Sequence, residues 1–147
     1  MMLDWSALAD QEFEELCYDI MENSGFVNLS WIGRKGKDRG RDILAEKQLT
    51  ELGKMHVEKW LVQCKKYLTR SPSPSDLEND LAWADFHSPD VFLIMLTNTL
   101  SADTLDWLDR VADKRNYGVE VIDEKQLRNL LDDQKELKSE QRESHFS

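Results

Sequence analysis

Residues 91–97 read Val-Phe-Leu-Ile-Met-Leu-Thr, an apolar run without alternation. Successive side chains of a strand point to opposite faces, so a strand of this composition is stable in water only when both faces are covered. That requirement excludes an open meander with one wet face. It asks for a sheet sandwiched between helices.

The flanking segments supply them. Phe13, Leu16, Cys17, Ile20 and Met21 recur at helical spacing from Asp10 to Ser24, and Asn23-Ser24-Gly25 supplies a stop. Residues 26–33 alternate as a first strand, 43–47 form a second, and 59–67 a third. A polar connection is expected over 48–58. Ser75, with Glu78 three residues on, predicts a capping box at the start of the next helix, which carries Leu77, Leu81 and Ala84 and stops before Ser88-Pro89-Asp90. Ser101 opens another helix with Leu105, Leu108, Val111 and Ala112 on its inner face and Gly118 as its stop. A short strand at 119–122 and a helix at 123–131 complete the order. Helices between the later strands imply parallel crossovers, whereas the early strands pair antiparallel. The expected fold is α/β, a mixed central sheet flanked on both sides by helices, with an αβββαβ core and a C-terminal αβα. Residues 1–131 form the domain. Residues 132–147, charged and poor in apolar groups, read as a frayed end or a linker to a further domain.

The 147 residues suit one domain, which buries about 70% of the surface of its unfolded chain. No stretch approaches the ~20 apolar residues of a membrane span, and the N-terminus lacks a basic leader and an apolar run. A soluble, unprocessed, cytoplasmic protein is expected. Cys17 and Cys64 fit no thiolate metal spacing and read as reduced core residues; His56, His87 and His145 share no helix face, which argues against zinc. Trp5, Trp31, Trp60, Trp83 and Trp107 are expected to pack in the core and on helices.

The net charge of −10 at first disfavours a nucleic-acid partner. Its distribution reverses that impression. Residues 34–70 hold eleven lysines and arginines against five acids, a local +6, while the remainder holds eight against 24, or −16. This basic quarter also contains the strand Lys59-Trp60-Leu61-Val62-Gln63-Cys64-Lys65. Alternation puts Gln63 and Lys65 on one face and Cys64 on the other. The preceding strand begins at Asp42, so pairing brings Asp42, Gln63 and Lys65 to one end of the sheet. A carboxylate and an amide oxygen are hard donors of the kind Mg²⁺ accepts, and an ammonium beside such an ion can hold water or stabilise charge on a phosphoryl oxygen. The three residues suit hydrolysis of a phosphodiester.

Gly36-Lys37-Asp38-Arg39-Gly40-Arg41-Asp42-Ile43-Leu44-Ala45-Glu46, followed about twenty residues later by Leu61-Val62-Gln63-Cys64-Lys65-Lys66-Tyr67, resembles the Mrr-type branch of the PD-(D/E)xK restriction endonuclease superfamily. Phe13-Glu14-Glu15-Leu16 on the first helix is similar to the family's opening helix. The resemblance spans residues 8 to about 131. It implies that Asp42 is the essential metal ligand, that Lys65 positions or activates water, and that Gln63 replaces the usual second acid. The Cys64 backbone carbonyl is implied as a further ligand, and Glu14 as the helix glutamate and an additional candidate ligand. Helix geometry favours Glu14, at the margin of the apolar stripe, over Glu15 on the solvated side. Arg39 and Arg41 stand where the family often has glycine or an apolar residue. With Arg34, Lys35, Lys37 and Lys66 they are expected to grip DNA phosphates.

The expectation is a Mg²⁺- or Mn²⁺-dependent DNA endonuclease of slight sequence specificity, the cutting module of a restriction or antiviral defence system. Its expected partners are DNA, further copies of itself in a dimer or larger homo-oligomer, and a recognition or sensor domain in the same or a partner chain, with no membrane. The neutral Gln63 implies weak metal binding until the substrate phosphate completes the site. Two rivals keep the fold: a non-cleaving nucleic-acid-binding or docking module, and an oligomerisation domain.

Overall fold

The computed structural model describes the backbone of residues 3–33 and 41–145, with side chains apart from those of Arg41 and of 136–145. A single 3-10 turn at Trp5–Ala7 precedes α1 (Asp10–Asn23), β1 (Val27–Gly33), β2 (Arg41–Glu51), β3 (Lys54–Lys65), α2 (Pro74–His87), β4 (Val91–Leu96), α3 (Ala102–Ala112), β5 (Gly118–Ile122) and α4 (Glu124–His145). This is the expected order. Among the described residues the strands form one sheet in sequence order β1-β2-β3-β4-β5. The first three pair antiparallel, whereas β3, β4 and β5 pair parallel because α2 and α3 carry the chain back between them.

The apolar run of β4 is covered on both sides. Leu93 and Met95 join Phe13, Cys17, Ile20 and Met21 of α1 and Leu127 of α4 in one buried cluster. Phe92, Ile94 and Leu96 join Leu77, Leu81 and Ala84 of α2 and Leu108 of α3 in the other. Each face of the sheet therefore has its own helix pair. No described helix is long and apolar enough to cross a membrane.

Several local expectations need correction. Residues 48–58 are not a connection but the arms of a long hairpin, with Gln48 opposite Val57 and Glu51 opposite Lys54. Its turn is Leu52-Gly53, with φ of 51° and 76°, the positive pair of a type I′ hairpin. Leucine is an unfavourable residue there, so the usual Asn-Gly signal is missing. Strand β1 does not alternate cleanly, because Asn28 has φ 51° and the register shifts between Val27 and Ser30.

Helix α2 is capped by Ser73 rather than Ser75. The Ser73 hydroxyl accepts from the Asp76 N–H, the Asp76 carboxylate accepts from the Ser73 N–H, and Pro74 occupies the first helical position, where its missing donor costs nothing. Helix α3 ends at Ala112, and Gly118 is not its stop but the first residue of β5, opposite Val91. Helix α4 continues through Leu131 to His145, so the charged segment begins as helix. Trp5 and Trp60 are buried as expected, but Trp31 is 40% exposed and stacks on Tyr18.

Candidate active site

Strand β3 changes character at its end. Leu61 belongs to the α2/α3 cluster and Val62 to the α1/α4 cluster. Continued alternation sends Gln63 and Lys65 toward α2, while Cys64 packs on the α1 side. On β2, Leu44 packs toward α2 and Ile43 away from it, so Asp42 shares the face of Gln63 and Lys65. Ile43 is opposite Val62, and one further step of that antiparallel register sets Asp42 beside Gln63.

These groups are withdrawn from water. Asp42 is 1%, Gln63 5% and Glu14 6% exposed, whereas Glu15 is exposed. All of them except Glu15 line a cavity of about 510 Å³. Glu14 enters it from α1, on the other face of the sheet and near Cys64, whose thiol feels its charge. A hydrogen bond with Cys17 and burial push the Cys64 thiol well up, so its sulfur stays protonated and only its carbonyl is a useful oxygen donor.

The Gln63 amide oxygen is buried and has no hydrogen-bond partner among the described residues. Leaving such an acceptor unmet costs about 1–3 kcal/mol. Beside it stands the Asp42 carboxylate. Among the described residues no group of three or more His, Cys, Asp or Glu side chains could hold a metal ion. The donors here are instead mixed: a carboxylate, an amide oxygen and the main-chain carbonyl between Gln63 and Lys65. That set of hard oxygens fits Mg²⁺ or Mn²⁺, ions that keep part of their water shell.

The described cavity wall has five carboxylates (Asp10, Glu14, Asp42, Asp76, Asp80) against two ammonium groups (Lys65, Lys66). Both ammonium groups are engaged. Lys65 Nζ lies 2.6 Å from Asp80 Oδ2; Lys66 Nζ lies 2.9 Å from Asp10 Oδ1 and donates to the Leu8 carbonyl at 2.6 Å. Lys66 thus ties the start of α1 to the end of β3. At the rim, Arg70 donates to both oxygens of Asp76 and holds that carboxyl far below its ordinary range. Burial, with the charges of Asp76 and Asp80, pushes the Tyr67 phenol up.

Of the phosphate-contact candidates, Arg34, Lys35, Lys37 and Arg39 lie outside the described residues, as does the side chain of Arg41. Two residues at the site were not among the candidates. Asp80 meets Lys65, and the Trp83 indole N–H donates to Asp42 Oδ2. Asp80 does leave a trace in the sequence: it lies on the stripe of Leu77, Leu81 and Ala84, an acid where an apolar residue belongs. Trp83 leaves none, since a tryptophan beside an apolar stripe reads as packing.

A family model of the Mrr catalytic domain, described as restriction endonuclease, matches residues 5–131. No curated protein matches this chain. Among solved structures, the chain is similar to the DNA modification-dependent restriction endonuclease AspBHI, with a TM-score of 0.54 and 11% identity over 89% of this chain and 38% of that one. It is also similar to the MspJI restriction endonuclease in complex with a 27-mer oligonucleotide, with a TM-score of 0.52 and 17% identity over 79% of this chain and 25% of that one. At these identities the likeness is one of fold. The chain spans well under half the length of either enzyme.

Proposed function

Because this chain belongs to the Mrr-type restriction endonuclease family, we propose that it hydrolyses DNA phosphodiester bonds in a reaction that requires a divalent metal, with Asp42, Gln63 and Lys65 at its centre. The observation that carries this reading is the buried Gln63 amide oxygen, without a hydrogen-bond partner among the described residues, beside Asp42 in the wall of an acidic cavity. A cation can meet that oxygen and the neighbouring carboxylate together, which a single protein N–H cannot. An excess of carboxylates facing a polyanion calls for one as well.

Asp42, Gln63 and the Cys64 carbonyl are the groups that would hold Mg²⁺ or Mn²⁺, with Glu14 a further candidate from the opposite face. When bound, such an ion supplies Lewis-acid stabilisation of the negative charge that builds on the phosphoryl oxygens. Asp42 and Gln63 together bring only one negative charge, so the substrate phosphate strengthens a site that is weak without it. Lys65 holds the attacking water or meets the charge on a non-bridging oxygen. DNA phosphates on either side are gripped by Arg34, Lys35, Lys37, Arg39 and Arg41; Lys66 joins them only by leaving Asp10.

The chain acts as the cutting module of a restriction or antiviral defence system. A recognition or sensor domain in the same or a partner chain selects the target, and a homo-oligomer places two sites on two strands. The two free thiols suit the cytoplasm. One observation favours the rival non-cleaving module: both described ammonium groups of the cavity are already paired with carboxylates.

Supercoiled plasmid incubated with the wild-type chain and with Lys65→Ala, in Mg²⁺, in Mn²⁺ and in EDTA, separates the two. Cleavage is expected with either metal, none in EDTA and none with the variant. Cleavage that survives EDTA or the loss of Lys65 would remove the proposed centre. DNA binding without cleavage would favour the rival.

A further inference from the structure

Helix α2 touches the site at two points. Asp80 sits on its buried stripe, three residues after Leu77 and four before Ala84, and is 3% exposed. A charge at such a position is seldom kept unless it is paired, and its partner is the Lys65 ammonium at 2.6 Å. Trp83, three residues further on and therefore beside Asp80 on the helix surface, gives its indole N–H to Asp42 Oδ2. One rigid element thus grips the cation of β3 and the anion of β2.

Stability does not explain this arrangement. A buried ion pair is often no more stabilising than apolar side chains of the same volume, and the α2/α3 cluster is already closed by Leu77, Leu81 and Ala84. What the two contacts supply is placement. A lysine ammonium rides on a flexible four-carbon stem, and Asp80 confines it to one spot at the cavity. A carboxylate turns about its last bond, and the single N–H of an indole fixes its plane. Groups that hold a ligand's second oxygen in this way orient the first.

Resting on the nuclease reading above, we propose that α2 is the positioning element of the site, with Asp80 placing the Lys65 ammonium and Trp83 placing the Asp42 carboxylate. Neither residue is itself a metal ligand. The two should therefore fail differently, Trp83 through the metal and Asp80 through turnover.

The test uses the full chain as wild type, Asp80→Asn, Asp80→Glu and Trp83→Phe, with two readouts: Mn²⁺ affinity without DNA by electron paramagnetic resonance, and kcat and KM on supercoiled plasmid in Mg²⁺. Trp83→Phe is expected to weaken Mn²⁺ binding about 10-fold and to recover cleavage as metal is raised. Asp80→Asn should leave Mn²⁺ affinity within about twofold and lower kcat about 10- to 100-fold with KM nearly unchanged, and Asp80→Glu should regain part of the loss. A merely structural role would instead move the melting midpoint and both readouts together. If Asp80→Asn does not melt cooperatively, Asp80→Glu carries that arm; for Trp83 the substitute is Trp83→Leu, which likewise has no donor. Wild-type Mn²⁺ affinity in Trp83→Phe, or Mn²⁺ loss in Asp80→Asn, overturns the proposal; the second result would make Asp80 a ligand. A wild-type chain that neither binds Mn²⁺ nor nicks plasmid removes the nuclease reading itself, and that is distinct from an active wild type whose variants match it.

Discussion

Two polar groupings lie along helix α2, one at each end of the parallel strands. At the end where β4 and β5 begin, the Tyr117 hydroxyl donates to Asp85 Oδ1 at 2.5 Å, and Arg115 donates to both oxygens of the same carboxylate at 3.0 and 3.2 Å. At the other end, where β3 finishes, Asp42 and Lys65 have partners from α2 but the Gln63 amide oxygen has none among the described residues. The first grouping satisfies its own polar atoms, ties α2 to the loop before β5 and lines a cavity of about 620 Å³. The second also lines a cavity but leaves one buried acceptor without a partner among the described residues. A fold spends stability where it keeps an unmet acceptor, and this difference, rather than the presence of a cavity, favours β3 over the Tyr117 end as the proposed place of chemistry.

Four substitutions sharpen or break the comparison. Ile43→Ala, which removes a fully buried neighbour of Asp42 on the opposite face, sets the scale for ordinary packing, with an expected loss of about 2–5 kcal/mol by denaturant melts. Asp85→Ala comes next. It strips the partner from Tyr117 and Arg115 and should cost about 1–3 kcal/mol, toward the low end because the Asp85 side chain is 47% exposed, with plasmid cleavage retained. Gln63→Leu should go the other way, stabilising the chain by about 1 kcal/mol through removal of an unmet acceptor while abolishing Mn²⁺ binding and cleavage. Destabilisation by Gln63→Leu would mean that the amide is satisfied, and the contrast would collapse.

The smallest effect is one of pH. Burial first, and then the bond to Asp85, pushes the Tyr117 phenol up to about 12. Its folded value is raised, so its contribution is fully present below the ordinary tyrosine range and is lost as pH rises through about 12. Asp85, held low by Tyr117 and then by Arg115, works in the opposite sense: its contribution is present above the ordinary carboxylate range and is lost as pH falls through the folded value. Melting curves of wild type and Tyr117→Phe should therefore converge at alkaline pH. A constant gap between them would show that the Tyr117 hydroxyl contributes nothing through its proton.

Much of this was legible in the residues. The unbroken apolar run of β4 required helices on both faces, and alternation along β3 together with a strand beginning at Asp42 brought Asp42, Gln63 and Lys65 to one face. Glu14 could be chosen over Glu15 from the 100° step of a helix. Most of the parts that were not legible were set by packing that overrode a local signal, and one by a competing local signal. Leu52 adopts a positive φ that its side chain disfavours because the long β2–β3 ladder holds it there. Ser73, not Ser75, caps α2 because Pro74 suits the first helical position. Asp80 shows only as an acid on an apolar stripe and Trp83 only as a packing aromatic until α2 is laid on the sheet, where Lys65 and Asp42 are waiting. The stretch 34–40, where most of the expected phosphate contacts fall, lies outside the described residues and adds nothing to this comparison.

The most direct test is to soak crystals of the wild-type chain and of Gln63→Leu in Mn²⁺ and collect anomalous diffraction. A peak within bonding reach of both an Asp42 oxygen and the Gln63 amide oxygen, about 2.0–2.3 Å for a hard divalent ion, and absent from the variant, is the predicted result. A peak elsewhere in the cavity, or one that persists without the Gln63 oxygen, would contradict the account.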